Sequence, residues 1–182
     1  MRGIKYKKIE HKLKDSLIGI SENSNILEIG CGSKIYKKIF LKHSYYGLDK
    51  HKSEWISCND KPEFFCDLID LKTHLNFKLI FSVASIYLLN DKSLSKLVQI
   101  IQNQKKVNGR CLIFDYRKST INKLGNKYNL YIEILKENFS KNIFIDENYE
   151  WCSNNILKNF LKKYIFINKF NKSVLIDINF NL

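Results

Sequence analysis

The sequence holds a single proline, Pro62, and 7 glycines in 182 residues. No proline-, glycine- or serine-rich linker divides the chain, and no internal repeat or low-complexity tract shows. One domain spanning 1–182 is therefore expected, long enough to bury a real core. Hydrophobic residues make up 45% of the chain, which excludes intrinsic disorder. No apolar run approaches the roughly 18 residues of a membrane span; the longest extends from Leu79 to Leu89. Met1 to Leu13 is basic and polar and has no apolar signal-peptide core, so a cytoplasmic location is expected. Cys31, Cys58, Cys66, Cys111 and Cys152 never stand two residues apart, and His11, His43, His51 and His74 complete no zinc pattern. Free thiols in a reducing compartment, and no metal, are the expectation. Acidic residues are scarce, with 18 against 31 basic ones and a net charge of +13. That charge admits an acidic partner such as nucleic acid. The lysines are spread along the whole chain without Arg clusters, however, so composition rather than nucleic-acid binding is the favoured reading.

What is present is concentrated in residues 25–49. Ile26 to Ile29 reads as a buried strand that ends in the tight turn Gly30-Cys31-Gly32. A second short strand, Tyr45 to Leu48, ends in Asp49. An acid about twenty residues beyond a glycine turn is the spacing of a nucleotide-like ligand crossing two strand tips. The glycines let backbone approach the ligand, and a carboxylate at the second tip accepts the hydrogen bonds of a ribose diol. Glu28 places an acid where a pyrophosphate would want none, so a cationic ligand fits better.

These residues resemble the class I S-adenosylmethionine-dependent methyltransferases. The resemblance rests on Leu27-Glu28-Ile29-Gly30-Cys31-Gly32-Ser33, Tyr46-Gly47-Leu48-Asp49 and Phe65-Cys66-Asp67-Leu68. Leu79-Ile80-Phe81-Ser82 with Ile86 to Asp91, and Val107 to Ile113, complete five blocks in the family's order and at its usual spacing. The resemblance implies an α/β, Rossmann-like sheet of order 3-2-1-4-5-7-6, with helices on both faces and a C-terminal antiparallel hairpin. Along the chain, 1–22 reads as an amphipathic N-terminal helix. Lys34 to Leu41 reads as a short helix with its amides toward the ligand, and Phe64 to Cys66 as strand 3. Asp91 is read as the cap of a helix through Ile101. Residues 117–150 lie outside the minimal fold and read as a substrate-lid insertion with a helix over 129–139. Ser153 would cap another helix. Ile165 to Phe170 and Val174 to Phe180 would form the final hairpin.

The implied cofactor is S-adenosyl-L-methionine. Gly30, Cys31 and Gly32 would meet its methionine part, Glu28 would help hold the amino end, Asp49 would bind the ribose hydroxyls, and Lys50 is counted among the cofactor-binding residues. Asp67 would take the adenine amine with Leu68 against the ring, while Ser82 and Val83 would pass beside the sulfonium. Lys34 departs from the family, which often has a third glycine there; its side chain is expected to reach solvent or to offset Glu28. Tyr87 and Leu88 replace the Glu-His of many small-molecule enzymes. Asp115, just past the strand expected over Cys111 to Phe114, is then the first candidate for base or substrate anchor, with Tyr87 and Tyr116 after it. The run Gly-Cys-Gly-Ser-Lys-Ile-Tyr is similar to a branch with proline at Ile35, found among glycan and cell-surface biosynthesis genes. No Asn-Pro-Pro-Tyr, Asp-Pro-Pro-Tyr or Pro-Cys motif occurs, which disfavours base and glutamine methylation. Methyl transfer by in-line displacement to a small molecule, a sugar or a lipid-linked glycan is the leading reading. An RNA methyltransferase and a non-catalytic cofactor-fold binding protein are the alternatives.

Overall fold

The computed structural model describes residues 6–51, 61–116, 123–149 and 173–181. Its strands are β1 (Asn25–Ile29), β2 (Ser44–Leu48), β3 (Leu79–Val83), β4 (Arg110–Tyr116), β5 (Ile143–Asp146) and β6 (Ser173–Asn179). They form one sheet in the order β2-β1-β3-β4-β6-β5. The first four pair in parallel, and β6 runs antiparallel to both β4 and β5. The parallel strands are apolar almost throughout, as a sheet covered on both faces requires.

Among the described residues three α-helices cover the sheet: α1 (Lys7–Ser16), α2 (Asp91–Gln104) and α3 (Lys123–Phe139). On one face, Leu94, Leu97, Val98 and Ile101 of α2 and Tyr131, Ile132 and Leu135 of α3 meet Leu27, Ile29, Ile80 and Ile113. On the other, Ile9 and Leu13 of α1 join Tyr36, Phe40, Phe81 and Phe114. Alternation along each strand divides the two cores: Ile26 faces α1, while Leu27 faces α2. Each such side chain contributes roughly 1.5–3 kcal/mol on burial.

In the family's strand numbers the observed order reads 2-1-4-5-7-6, the expected sheet without a full strand 3. Phe64 makes a single parallel bridge with Leu48, and its ring stacks on Tyr46 with centroids 5.8 Å apart. The final antiparallel pair is present, but the partner of β6 is β5, from within 117–150. The Ile165 to Phe170 strand and the Ser153-capped helix lie outside the described residues. The described part of 117–150 is thus not an addition beside the fold. Its helix begins at Lys123, packs Tyr131, Ile132 and Leu135 against the sheet, and leads into the edge strand β5.

Local differences have local causes. The N-terminal helix ends at Ser16, whose hydroxyl donates to the Leu13 carbonyl, and the chain then turns through Gly19. Lys34 to Leu41 forms only a 3-10 turn over Lys37–Phe40, because Lys34 takes a left-handed backbone at φ +52°. The cap of α2 is Asn90, one residue before Asp91, and its side chain accepts the Ser93 N–H at 2.8 Å.

Candidate active site

The carboxyl ends of β1, β2 and β3 converge on the glycine turn. The ladder between β1 and β2 runs on past Ile29, since the N–H groups of Gly30 and Cys31 both donate to the Leu48 carbonyl. Gly30 stands at φ +72°, and a Cβ there would lie 2.2 Å from Ser85 Oγ, so only glycine fits against the tip of β3. Gly32, at φ +48°, differs: nothing lies within 4 Å of where its Cβ would be. Beside that open space its N–H donates to Asp49 Oδ2 at 2.9 Å. The other Asp49 oxygen accepts the His51 N–H at 2.9 Å. The glycine turn and the second-strand acid are therefore brought together, with room left beside them.

Glu28 occupies a different place from the one expected. It is buried, and its carboxylate accepts the Tyr45 hydroxyl. Burial pushes its pKa up to about 8, against the lowering effect of the Tyr45 hydrogen bond, with Asp49 adding a smaller push upward. Burial thus disfavours the charged form of Glu28, while Asp49, Glu63 and Asp67 are the less buried acids of the site. Cys31 is buried as well, and desolvation raises its thiol well above the ordinary range, so it is inert packing under the turn.

Lys34 does not reach solvent. Its side chain is 4% exposed, and Nζ lies 2.9 Å from Glu63 Oε1. Glu63 Oε2 accepts the Gly47 N–H at 2.6 Å. Burial works to raise the Glu63 pKa, but the Gly47 N–H and the Lys34 ammonium outweigh it and the net shift is downward. Glu63 was not marked as a site residue by the sequence; it sits in an aperiodic polar stretch that offers no motif.

Asp67 lies where strand 3 would end. Its Oδ2 accepts Lys50 Nζ at 2.8 Å, while Oδ1 accepts the Ser93 hydroxyl at 3.0 Å. The Lys50 hydrogen bond, foremost, holds its pKa below the usual value. Leu68 is 2% exposed and belongs to the core, so it offers no face to a ring; its neighbour Ile69 is exposed instead. Ser82 is buried and donates to the Ile29 carbonyl at 2.9 Å, which ties β3 to β1. Val83, beyond it, is partly open. Ala84 takes φ +52°, and its N–H donates to Phe114, so the chain breaks sharply from the sheet beside Gly30.

Asp115 lies within β4 rather than past it, and its side chain is wholly buried. Its Oδ2 accepts the Tyr87 N–H at 2.9 Å and so anchors the 3-10 turn Ile86–Leu88 to β4. Burial, and secondarily Asp115, raises the Tyr87 phenol pKa. The structure therefore brings Asp115 and Tyr87 together, with one carboxylate oxygen tied to the Tyr87 backbone. Tyr116 side-chain placement is outside the described residues. No cluster of metal-ligating side chains occurs among the described residues, and no described helix is long and apolar enough to cross a membrane.

No protein-family model and no curated protein sequence matches the chain. Solved structures do match. The N-methyltransferase NodS from Bradyrhizobium japonicum WM9 superposes with a TM-score of 0.60 at 18% identity, covering 95% of this chain and 94% of that one. A putative methyltransferase from an antibiotic biosynthesis pathway of Anabaena variabilis gives 0.59 at 13%, covering 96% and 98%. The plantazolicin methyltransferase BamL, in complex with a desmethyl analogue and S-adenosylhomocysteine, gives 0.58 at 15%, covering 96% and 84%. The chain has the Rossmann-like fold of the class I S-adenosylmethionine-dependent methyltransferases.

Proposed function

We propose that this protein binds S-adenosylmethionine at the carboxyl ends of β1 to β3 and transfers its methyl group to a small molecule. The observation that carries this reading is the open space at Gly32, whose N–H is held by the Asp49 carboxylate at the tip of β2. NodS and BamL have the same fold; BamL is seen with S-adenosylhomocysteine, and NodS is an N-methyltransferase. Gly30 and Gly32 would admit the methionine part, Asp49 the ribose, and Asp67 with Lys50 the adenine end. When bound, the cofactor supplies a methyl group already activated on a sulfonium. The chain's own residues then need to align the acceptor and exclude water.

The commitment of Asp115 to the Tyr87 N–H supports an acceptor that sheds its proton without a strong base. An amine meets that requirement better than a hydroxyl. A small molecule or sugar carrying an amino group is the acceptor class we favour, and a lipid-linked glycan amine falls within it.

Calorimetric titration with S-adenosylmethionine and S-adenosylhomocysteine tests the cofactor site. Micromolar binding is expected, with Asp49→Ala weakening it by on the order of a hundredfold through loss of charge-assisted hydrogen bonds. Folded wild-type protein that bound neither ligand would remove the reading. With binding in hand, a panel of amines and alcohols follows, scored by S-adenosylhomocysteine release. Turnover confined to alcohols would overturn the amine assignment.

A further inference from the structure

Lys34 combines three features that rarely meet in one residue. Its backbone is left-handed at φ +52°, a conformation that favours glycine. Its side chain is almost completely buried, although it carries an ammonium. And that ammonium has an acidic partner, Glu63, whose second oxygen is bonded to the backbone of another strand. A buried lysine is tolerated only when paired, and a left-handed lysine only when its surroundings over-determine it.

The surroundings show what the pair does. Among the described residues strand 3 is reduced to one bridge, so β2 has no regular ladder from them on its outer side. The Gly47 carbonyl accepts the Phe64 N–H at 3.0 Å, and the Asp49 N–H donates to the Phe64 carbonyl at 3.2 Å. The Gly47 N–H would face no backbone partner from a strand here, and the Glu63 carboxylate takes it. Gly47 also lies against the turn: a Cβ on it would be 2.6 Å from Cys31 Sγ and 3.1 Å from Lys34 Cδ. Through one ion pair, the glycine turn, the tip of β2 and the strand 3 remnant are joined, and Asp49 is two residues from the joint.

We propose that Lys34 and Glu63 form a strap that sets the spacing between the glycine turn and Asp49, making Lys34 a positioning residue of the cofactor site where relatives often use glycine. This rests on the cofactor reading above. It yields an outcome opposite to the one the family pattern suggests. Lys34→Gly restores the pattern and relieves the left-handed backbone, yet on this account it impairs binding.

The test uses the full chain with Lys34→Gly, Glu63→Gln and the double variant. S-adenosylhomocysteine affinity is measured by calorimetry, and the Gly32 and Gly47 amides are followed by NMR. Glu63→Gln keeps the side-chain shape, so it reports on the strap even where Lys34→Gly unfolds. Each single variant is expected to bind about tenfold more weakly, and the double variant no worse than the weaker single one, as coupled partners do. The Gly47 amide proton should move upfield in all three while the amides of the β4–β6 ladder stay in place, a local signature that a general loss of stability would not produce. Lys34→Gly binding as tightly as wild type, or tighter, with an unmoved Gly47 resonance, would overturn the strap alone. Wild-type protein that does not bind overturns the cofactor reading and the strap with it.

Discussion

Ion pairs hold both ends of the sheet, but they hold different things. At the amino end of β4, Arg110 grips Asp177 of β6 through two hydrogen bonds, with Nε 2.8 Å from Oδ1, and Lys12 of α1 adds a contact at 3.2 Å. These groups cross-link strands already joined by an antiparallel ladder of seven residue pairs. At the carboxyl ends, Lys34–Glu63 and Lys50–Asp67 join segments with almost no ladder between them. One end uses charge to reinforce regular structure. The other uses charge in place of it, around the space where a ligand would lie. Stability and site shape should therefore separate on mutation.

The largest separation is expected from Arg110→Ala. It leaves the Asp177 carboxylate, only 9% exposed, with Lys12 as its remaining cation among the described residues. Removing one partner of a buried pair costs about 3 kcal/mol, which for a chain of this size lowers the melting temperature by roughly 8 °C. Cofactor affinity should stay within twofold, since no residue of the glycine turn is touched. Asp49→Ala should give the reverse weighting: binding falls on the order of a hundredfold, while melting falls less than in Arg110→Ala, since the bonds lost are those to the Gly32 and His51 N–H groups in partly open surroundings. If Arg110→Ala weakened binding as strongly as Asp49→Ala, the two ends would not be independent.

Glu28 sharpens the comparison, because it is a buried acid at the carboxyl end without a cationic partner at hydrogen-bond distance among the described residues. Its folded pKa, about 8, lies above the ordinary value of 4.5. The folded state thus holds a proton that the unfolded chain releases. The stability this contributes is fully present below about pH 4.5 and is lost as pH rises through 8, by at most about 1.4 kcal/mol per unit. Glu28→Gln keeps a neutral acceptor for Tyr45 and has no such slope. The stability difference between Glu28→Gln and wild type, read by urea unfolding, should move in favour of the variant from pH 5 to pH 8. A difference that stayed flat would mean Glu28 is ionised in the folded protein.

Much of this arrangement was legible in the sequence, for reasons that can be named. The β1 and β4 strands are short apolar runs bounded by turn residues, and the Gly30–Gly32 turn with Asp49 carries its own spacing. β3 is another such apolar run, and α2 repeats Leu94, Leu97, Val98 and Ile101 at helical spacing. Side-chain direction was harder to read. Leu68 and Glu28 stand where the resemblance places them, but the first is buried in the core and burial raises the pKa of the second. Asp115 was a reasonable base by position, yet the turn after β3 needed its carboxylate for the Tyr87 N–H. The pairing of 143–146 with β6 was missed because four residues with one exposed aromatic, Phe144, give too short a pattern to separate from a loop. Glu63 had no signal at all, since its role depends on a strand that is mostly absent.

The smallest effect concerns the start of α2, where the two kinds of role meet within four residues. Asn90 caps the helix by accepting the Ser93 N–H, while the Ser93 hydroxyl donates to Asp67. The first interaction serves the helix, and the second orients Asp67, the acid proposed above for the adenine end. Asn90→Ala should cost about 1 kcal/mol of stability and leave cofactor affinity unchanged. Ser93→Ala keeps the capped N–H but removes one of the hydrogen bonds that orient Asp67. It should weaken cofactor binding about twofold, the order expected when a neutral hydrogen bond to an already paired carboxylate is lost. Titrating both variants beside thermal melts separates the two roles. Equal affinity in Ser93→Ala and wild type would mean that Lys50 and the Ile69 N–H suffice to hold Asp67, and that the helix contributes only packing to the site.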